Sequence, residues 1–306
     1  MLLLLFLWGF ASALPALGFS HAPPLSPTFV AYNTLPFPRW LSDFTGLHSW
    51  PDIDPPYIPL DFITFDESST SLAQIHLQGN CSDSHNRNSV CSFDCFNCVS
   101  SDDVYTCPVL SQTFDDGPSL ATPKLVKALR SRSTFFTIGL NVVRYPEIYR
   151  ATARAGHIMG SHTWSHKFLP SLSNEEVVAQ IQWSVWAMNA TYGHIPKWFR
   201  PPYGGIDNRI RGILRQFGMQ AVLWDFDTVD WRLEAGSAPQ EAMIYSGVNE
   251  FQKLRGNRGL ILEHDGTDTT VNVGINLHKQ LGPVQLSVPE CVGGIDYIKK
   301  FIDPSK

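Results

Sequence analysis

The chain has 306 residues, 43% of them hydrophobic and 17% charged, proportions of a folded globular protein that exclude disorder throughout. A formal net charge of −5 argues against a nucleic-acid binder, which carries a basic surplus. The length fits one large domain or two small ones, and an α/β barrel is one way to use it.

The first residues, MLLLLFLWGFASALPALG, form an apolar run followed by small residues at Ala11, Ser12, Ala13, Ala16 and Gly18. This reads as a signal peptide over 1–18, and its lack of Lys or Arg leaves an uncleaved anchor as the alternative. No second apolar stretch approaches the ~20 residues of a spanning helix, and the polar end KKFIDPSK carries no lipid-anchor signal. A secreted protein without a stable membrane anchor is expected. Residues 19–106 form a Pro-rich and Cys-rich extension. Its first part, 20 to 76, has PP pairs and no sustained periodicity, and is expected to be poorly packed or draped.

The six cysteines are Cys81, Cys91, Cys95, Cys98, Cys107 and Cys291. An even number in an exported chain predicts three disulfides. Cys291 needs a distant partner, and Cys107, at the start of the next domain, is the expected one; their bond would tie the domain's first strand region to its last. Cys95-Phe-Asn-Cys98 also fits half a zinc site, though no second CxxC exists to complete it. Asn80 and Asn189 open glycosylation sequons.

From residue 109 the pattern changes to alternating strands and helices. Strands are predicted at 109–114, 133–140, 157–161, 197–200, 219–224 and 259–263. Helices are predicted at 122–132, 146–155, 173–188, 207–217, 239–254 and 271–280. Ser173-Asn-Glu-Glu176 is a capping box, and Pro239 stands in the first turn of its helix. Helices between successive strands imply parallel pairing with right-handed crossovers. The expected fold is therefore a distorted (β/α) barrel of about seven units over 107–291, with a C-terminal tail at 292–306. An open doubly wound sheet is the alternative.

Polar residues collect after these strands: Asp115 and Asp116, His162 and His166, Arg200, Asp227 and Asp230, and His264. In a parallel barrel the C-terminal strand ends share one face, where active sites form. His162-Thr-Trp-Ser-His166 puts two imidazoles four apart, a spacing that on one helical turn lets them share a metal. Asp116 would add an oxygen, completing a two-histidine, one-carboxylate set that leaves positions open. Zinc is the first choice, with cobalt or another divalent ion able to fill the same site. Adjacent carboxylates repel unless a cation holds one. One can then ligate while the other, held by Arg200, accepts a proton. Trp231 and Tyr203 are either packing or a wall for a sugar ring, and His264 is either an acid or an ordinary rim residue.

Five ordered motifs carry a resemblance: TFDDGP at 113–118, SHTWSH at 161–166, RPPY at 200–203, DTVDW at 227–231 and LEH at 262–264. Together they resemble the NodB-type polysaccharide deacetylases of carbohydrate esterase family four, over about residues 107–290. The longer runs FDCFNCVSSDDVYTCPVLSQTFDDGP and SHTWSHKFLPSLSNEE look like the fungal chitin deacetylases of that family, especially the yeast spore-wall type. The resemblance implies metal-dependent removal of N-acetyl groups from chitin or another N-acetylglucosamine polymer, in a cell or spore wall. It implies Asp115 as general base, oriented by Arg200, and Asp116, His162 and His166 as ligands of one Zn2+ or Co2+. Tyr203 would bind acetate and lend its backbone N–H to an oxyanion hole. Trp231 and Leu262 would line the acetyl pocket. His264 would be the general acid, tuned by Asp230 or, less favoured, Asp227. Competing readings are a deacetylase of peptidoglycan or acetylxylan, an inactive wall-binding lectin, and a glycosidase, for which Asp115 and Asp116 lie too close in sequence.

Overall fold

The computed structural model describes residues 34–65, 77–81, 90–233 and 240–301, all within the unit Asn33–Lys306. The signal-peptide reading of 1–18, Ser82 of the first sequon and Pro239 lie outside the described residues.

The strands, in chain order, are β1 (Leu110–Asp115), β2 (Thr134–Thr137), β3 (Ile158–Ser161), β4 (His194–Pro196) and β5 (Trp198–Phe199). They continue with β6 (Gln220–Ala221), β7 (Phe226–Asp227), β8 (Gly259–His264) and β9 (Tyr297–Lys300). Helices are α1 (Arg39–Thr45), α2 (Phe93–Phe96), α3 (Thr122–Ala128), α4 (Gly139–Arg144) and α5 (Pro146–Arg154). After them come α6 (Asn174–Tyr192), α7 (Asn208–Gln216), α8 (Glu241–Arg255), α9 (Asp268–Leu281) and α10 (Val288–Val292).

Seven strands form one all-parallel sheet in the order β6-β5-β3-β2-β1-β8-β7. Accumulated right-handed twist curls such a sheet, and the result is the expected distorted barrel of seven strands, left open between β6 and β7. The pleat explains its two faces, because side chains alternate along a strand. Phe136, Ile158, Trp198 and Leu260 meet Val104 and Val222 in one buried cluster, the filling of the barrel. Phe114 points the other way and packs with Leu125 of α3 and Val271 of α9. Burying several such side chains contributes about 2 kcal/mol each before conformational entropy is set against it.

The predicted strand at 133–140 stops at Thr137, because α4 begins at Gly139. A short apolar run such as FFTIGL fits a buried strand and a buried helix start equally well. Ser173 does cap α6 through the predicted box.

The extension is not poorly packed where it is described. Leu35 and Leu41 are buried in the same cluster as Phe114, Trp164 and Trp183, with Phe37, Trp50 and Tyr57 packed against it. These residues are buried one at a time between prolines, so no periodicity announces them. The C-terminal segment also takes part: β9 pairs antiparallel with β4.

Disulfides join Cys81 to Cys95, Cys91 to Cys98 and Cys107 to Cys291. Cys95 and Cys98 thus belong to two different disulfides, and neither has the thiolate a zinc site needs. Asn80 is exposed and Asn189 is half-buried in the last turn of α6. Among the described residues no helix is long and apolar enough to cross a membrane.

Candidate active site and metal centre

The register of β1 against β8 sets Asp115 opposite His264 and Thr113 opposite Leu262. By the two-residue pleat, Thr113, Asp115, Leu262 and His264 share the inner face. Gln112 and Glu263 share the outer one, where Gln112 Nε2 donates to Glu263 Oε1 at 2.8 Å.

Asp116 is the first residue past β1 and has φ 77°, so its side chain leaves the line of Asp115. Gly117 follows because nothing larger fits: a Cβ there would stand 2.3 Å from Oδ2 of Asp265. Asn141 on α4 donates to the Asp116 carbonyl at 2.8 Å, pinning the turn from the other side.

His162 and His166 do not lie on a helical turn. They bracket a tight turn in which Thr163 and His166 both have positive φ, 67° and 60°. The four-residue spacing still converges the rings, whose centroids are 4.9 Å apart. Nε2 of His162 lies 3.5 Å and Nε2 of His166 3.3 Å from Asp116 Oδ1. One ligand atom from each of the three residues lies within 4.8 Å of the other two.

The hydrogen bonds around this cluster suit a cation. His162 Nδ1 is 2.7 Å from the carbonyl oxygen of Arg200, an atom that can only accept. Nδ1 therefore carries the proton, and Nε2 presents a lone pair. His166 Nδ1 faces the Tyr203 hydroxyl at 3.1 Å. Burial pushes the His166 imidazole down to about 4, against the pull of Asp116, so it is neutral at pH 7 as a ligand must be. Asp116 keeps its charge: burial works against it, but positive charge on the surrounding imidazoles holds the carboxyl well below its usual range, and at pH 7 the protonated His264 supplies that charge. Its Oδ1 is buried and accepts no hydrogen bond. A buried carboxylate oxygen left so, with two imidazole nitrogens aimed at it, is the donor set of a divalent ion.

Asp115 is held differently. Arg200 is fully buried, and its Nη1 donates to Asp115 Oδ1 at 2.8 Å and to Thr113 Oγ1 at 2.7 Å. Its Nε and Nη2 donate to the carbonyls of Val222 and Leu223, and the guanidinium lies 4.2 Å over the Phe136 ring. Every contact fixes the fork, so Asp115 is presented in one orientation. Its second oxygen lies 3.7 Å from His162 Nε2. The neighbouring carboxylates thus diverge, Asp115 to the guanidinium and Asp116 to the imidazoles.

His264 at the end of β8 is bound twice by buried Asp230. Oδ1 takes the ring Nδ1–H at 2.6 Å and Oδ2 accepts from the backbone N–H at 3.0 Å. Burial opposes a charge on His264, but Asp230, then Asp116 and Asp115, outweigh it and raise the imidazolium to about 10. Asp227 is not the partner of that ring. Its Oδ1 accepts from the N–H of Val229, whose φ of 52° turns the chain so that Asp230 reaches His264. Tyr203, at φ 60°, is 49% exposed and Trp231 is 40% exposed at the rim, while Leu262 is buried.

Three supporting groups escaped the sequence reading: Thr113 under Arg200, Asp265 behind Gly117, and the residues around Trp50 that reach the histidine turn. Asp265 had a signal, standing next to His264, and so did Thr113, opening the TFDDGP motif two residues before Asp115; the residues around Trp50 had none.

Comparison with known proteins gives the family. The model of the family described as polysaccharide deacetylase matches residues 103–222. Chitin deacetylase 2 of Saccharomyces cerevisiae is 57% identical over 273 residues, covering 89% of this chain and 86% of that one. Chitin deacetylase 1 of the same yeast is 53% identical over 267 residues, covering 87% of each. Among solved structures, the chitin deacetylase of Colletotrichum lindemuthianum superposes with a TM-score of 0.56 at 27% identity, over 63% of this chain and 92% of that one.

Proposed function

The chain belongs to the polysaccharide deacetylase family, and on that premise we propose that it hydrolyses the N-acetyl groups of N-acetylglucosamine residues in chitin. The products are acetate and chitosan. The observation that carries the reading is the split between the two neighbouring carboxylates, one locked on Arg200 and one facing two imidazoles.

Asp116, His162 and His166 would hold one divalent ion, and a set of two imidazoles and a carboxylate suits zinc or cobalt. When bound, that ion polarises the acetamide carbonyl and acidifies water. Asp115, unable to turn away from Arg200, takes the proton of the attacking water. The backbone N–H of Tyr203 serves the developing oxyanion, an orientation suited by its left-handed backbone. His264 enters protonated, with Nδ1 tied to Asp230, and Nε2 gives its proton to the leaving amine. Trp231, Tyr203 and Leu262 line the acetyl group and the sugar ring. Arg200 and Asp230 orient the base and the acid.

Three disulfides suit a chain folded in an oxidising compartment, and a secreted wall enzyme, active in cell-wall or spore-wall formation, is the setting we favour. Asn80 is the more accessible of the two glycan acceptors.

Acetate release from chitin oligomers, acetylxylan and peptidoglycan fragments, each with and without chelator, tests the reading. Release from the chitin oligomers that chelator abolishes and Zn2+ or Co2+ restores is expected. Activity indifferent to chelator would overturn the metal assignment, and release from acetylxylan or peptidoglycan alone would overturn the substrate. Asp115→Asn should retain metal and lose at least about a hundredfold in kcat; near-normal turnover would remove Asp115 as the base.

A further inference from the structure

The turn that carries His162 and His166 is costly to hold. Thr163 and His166 are non-glycine residues in left-handed conformation, and Thr163 is β-branched. Such residues are strained and persist only where surrounding contacts over-determine them. Within the turn, Thr163 Oγ1 accepts from the His166 N–H at 2.9 Å. From the barrel side, the N–H groups of Gly139 and Leu140 donate to the carbonyls of Thr163 and Trp164, both at 2.9 Å. The outer side is held by residues 50–58, from the extension that precedes the barrel.

Those outer contacts fall on the residues between the two ligands. Trp164 Nε1 donates to the Asp52 carbonyl at 2.7 Å, and Ser165 Oγ donates to the Ile53 carbonyl at 2.6 Å. Trp50 stacks on Trp164 at 6.1 Å. Gln180 of α6 ties both sides together, accepting from the Ser165 N–H at 3.0 Å and donating to the Ile53 carbonyl at 3.3 Å. Trp183 Nε1 anchors the same segment through the Pro56 carbonyl at 2.7 Å, and Lys167 pairs with Asp54 at 2.8 Å.

We propose that residues 50–58 are a positioning strap for the metal-ligand turn, acting on His162 and His166 through Trp164 and Ser165. The extension then sets how well the barrel binds its cation, although none of its residues is a ligand. Residues that orient metal ligands from behind commonly control affinity by 10–100-fold on mutation. The inference rests on the metal reading above.

The test uses the full secreted chain and its Ser165→Ala, Ser165→Thr and Trp164→Phe variants. Zn2+ and Co2+ affinities are measured by competition with a fluorescent chelator, and melting of the metal-free proteins is followed in parallel. Ser165→Ala should bind roughly tenfold more weakly while its metal-free melting temperature stays within a few degrees of the parent. Trp164→Phe, which keeps a ring against Trp50 but loses the donor and part of the buried ring volume, should weaken binding in the same direction. Ser165→Thr, which keeps the hydroxyl, should restore affinity. Parent-like affinity in both folded Ser165→Ala and Trp164→Phe overturns the strap, as does a fall in melting temperature with no loss of affinity. A parent chain that binds neither ion overturns the metal reading itself, and the strap with it.

Discussion

At the scale of single residues, the acid arm of the site depends on one carboxylate making two bonds. Asp230 is fully buried and gives both oxygens to His264, one to the ring and one to the backbone. It is the strongest of the groups that raise His264 to about 10 against the cost of burial. Asp230→Asn keeps the shape and removes the charge, so His264 should titrate lower. An acid must be protonated to act, and activity is lost as pH rises through its pKa. The alkaline limb of kcat should therefore move to lower pH, and kcat at pH 8 should fall at least about tenfold. A pH profile on chitin oligomers checks this, and an unmoved alkaline limb would count against His264 as the acid. Asp230 was favoured over Asp227 in the sequence only through the family resemblance, because both residues follow the same predicted strand. The choice is made by one left-handed residue, Val229, which periodicity does not reveal.

Among the elements, turns position the chemistry more than strands do. Strand ends were legible because apolar runs break into Asp-Asp, His and Arg at each. The HxxxH spacing, by contrast, suits a helix and a tight turn equally, and only the backbone at Thr163 and His166 separates the two. The Asp-Asp-Gly-Pro turn shows the same limit. Its glycine reads as a turn former, yet the tighter reason is tertiary. Asp265, 1% exposed, is held by Thr122 at 2.6 Å and by its own N–H on the Asp115 carbonyl at 3.0 Å. It has nowhere to go when a methyl arrives 2.3 Å from its Oδ2. Gly117→Ala should cost about 1–3 kcal/mol in denaturant unfolding, the range of overpacked sites. Because the displaced turn carries Asp116, metal affinity should fall with it. Stability and affinity both unchanged would mean that the turn moves freely, against the fixed geometry described above.

Across the whole molecule, chain segments distant in sequence close onto the barrel: the strap at 50–58, the Cys107–Cys291 bond and the β4–β9 pair. The Cys107–Cys291 bond was legible in the sequence, but the other two were not, since the strap offers backbone carbonyls and β9 is four residues long. His194 of β4 marks this closure. It is buried between Tyr149, whose hydroxyl meets Nε2 at 2.7 Å, and Tyr297 of β9, 4.3 Å away between ring centroids. Burial, with some help from Lys300, pushes its imidazole down to about 3. In the unfolded chain it titrates near about 6.5. Below that pH the unfolded chain takes up a proton that the folded chain refuses. The stability contribution is therefore complete above about pH 6.5 and is lost progressively as pH falls toward 3. At about 1.4 kcal/mol per pH unit, His194 alone should remove about 3 kcal/mol between pH 6.5 and 4.5. His157, pushed by burial to about 4, adds a loss of the same sign. His194→Phe keeps the ring between the tyrosines and cannot charge. It should be less stable than the parent at pH 7, where the Tyr149 bond is missed. On acidification the gap should narrow by about 3 kcal/mol, because only the parent has a proton to refuse. Urea unfolding of both proteins at pH 7.0, 6.0, 5.0 and 4.5 measures that gap. Parallel curves would mean that His194 accepts a proton in the folded state, and that β4 and β9 do not seal it from water.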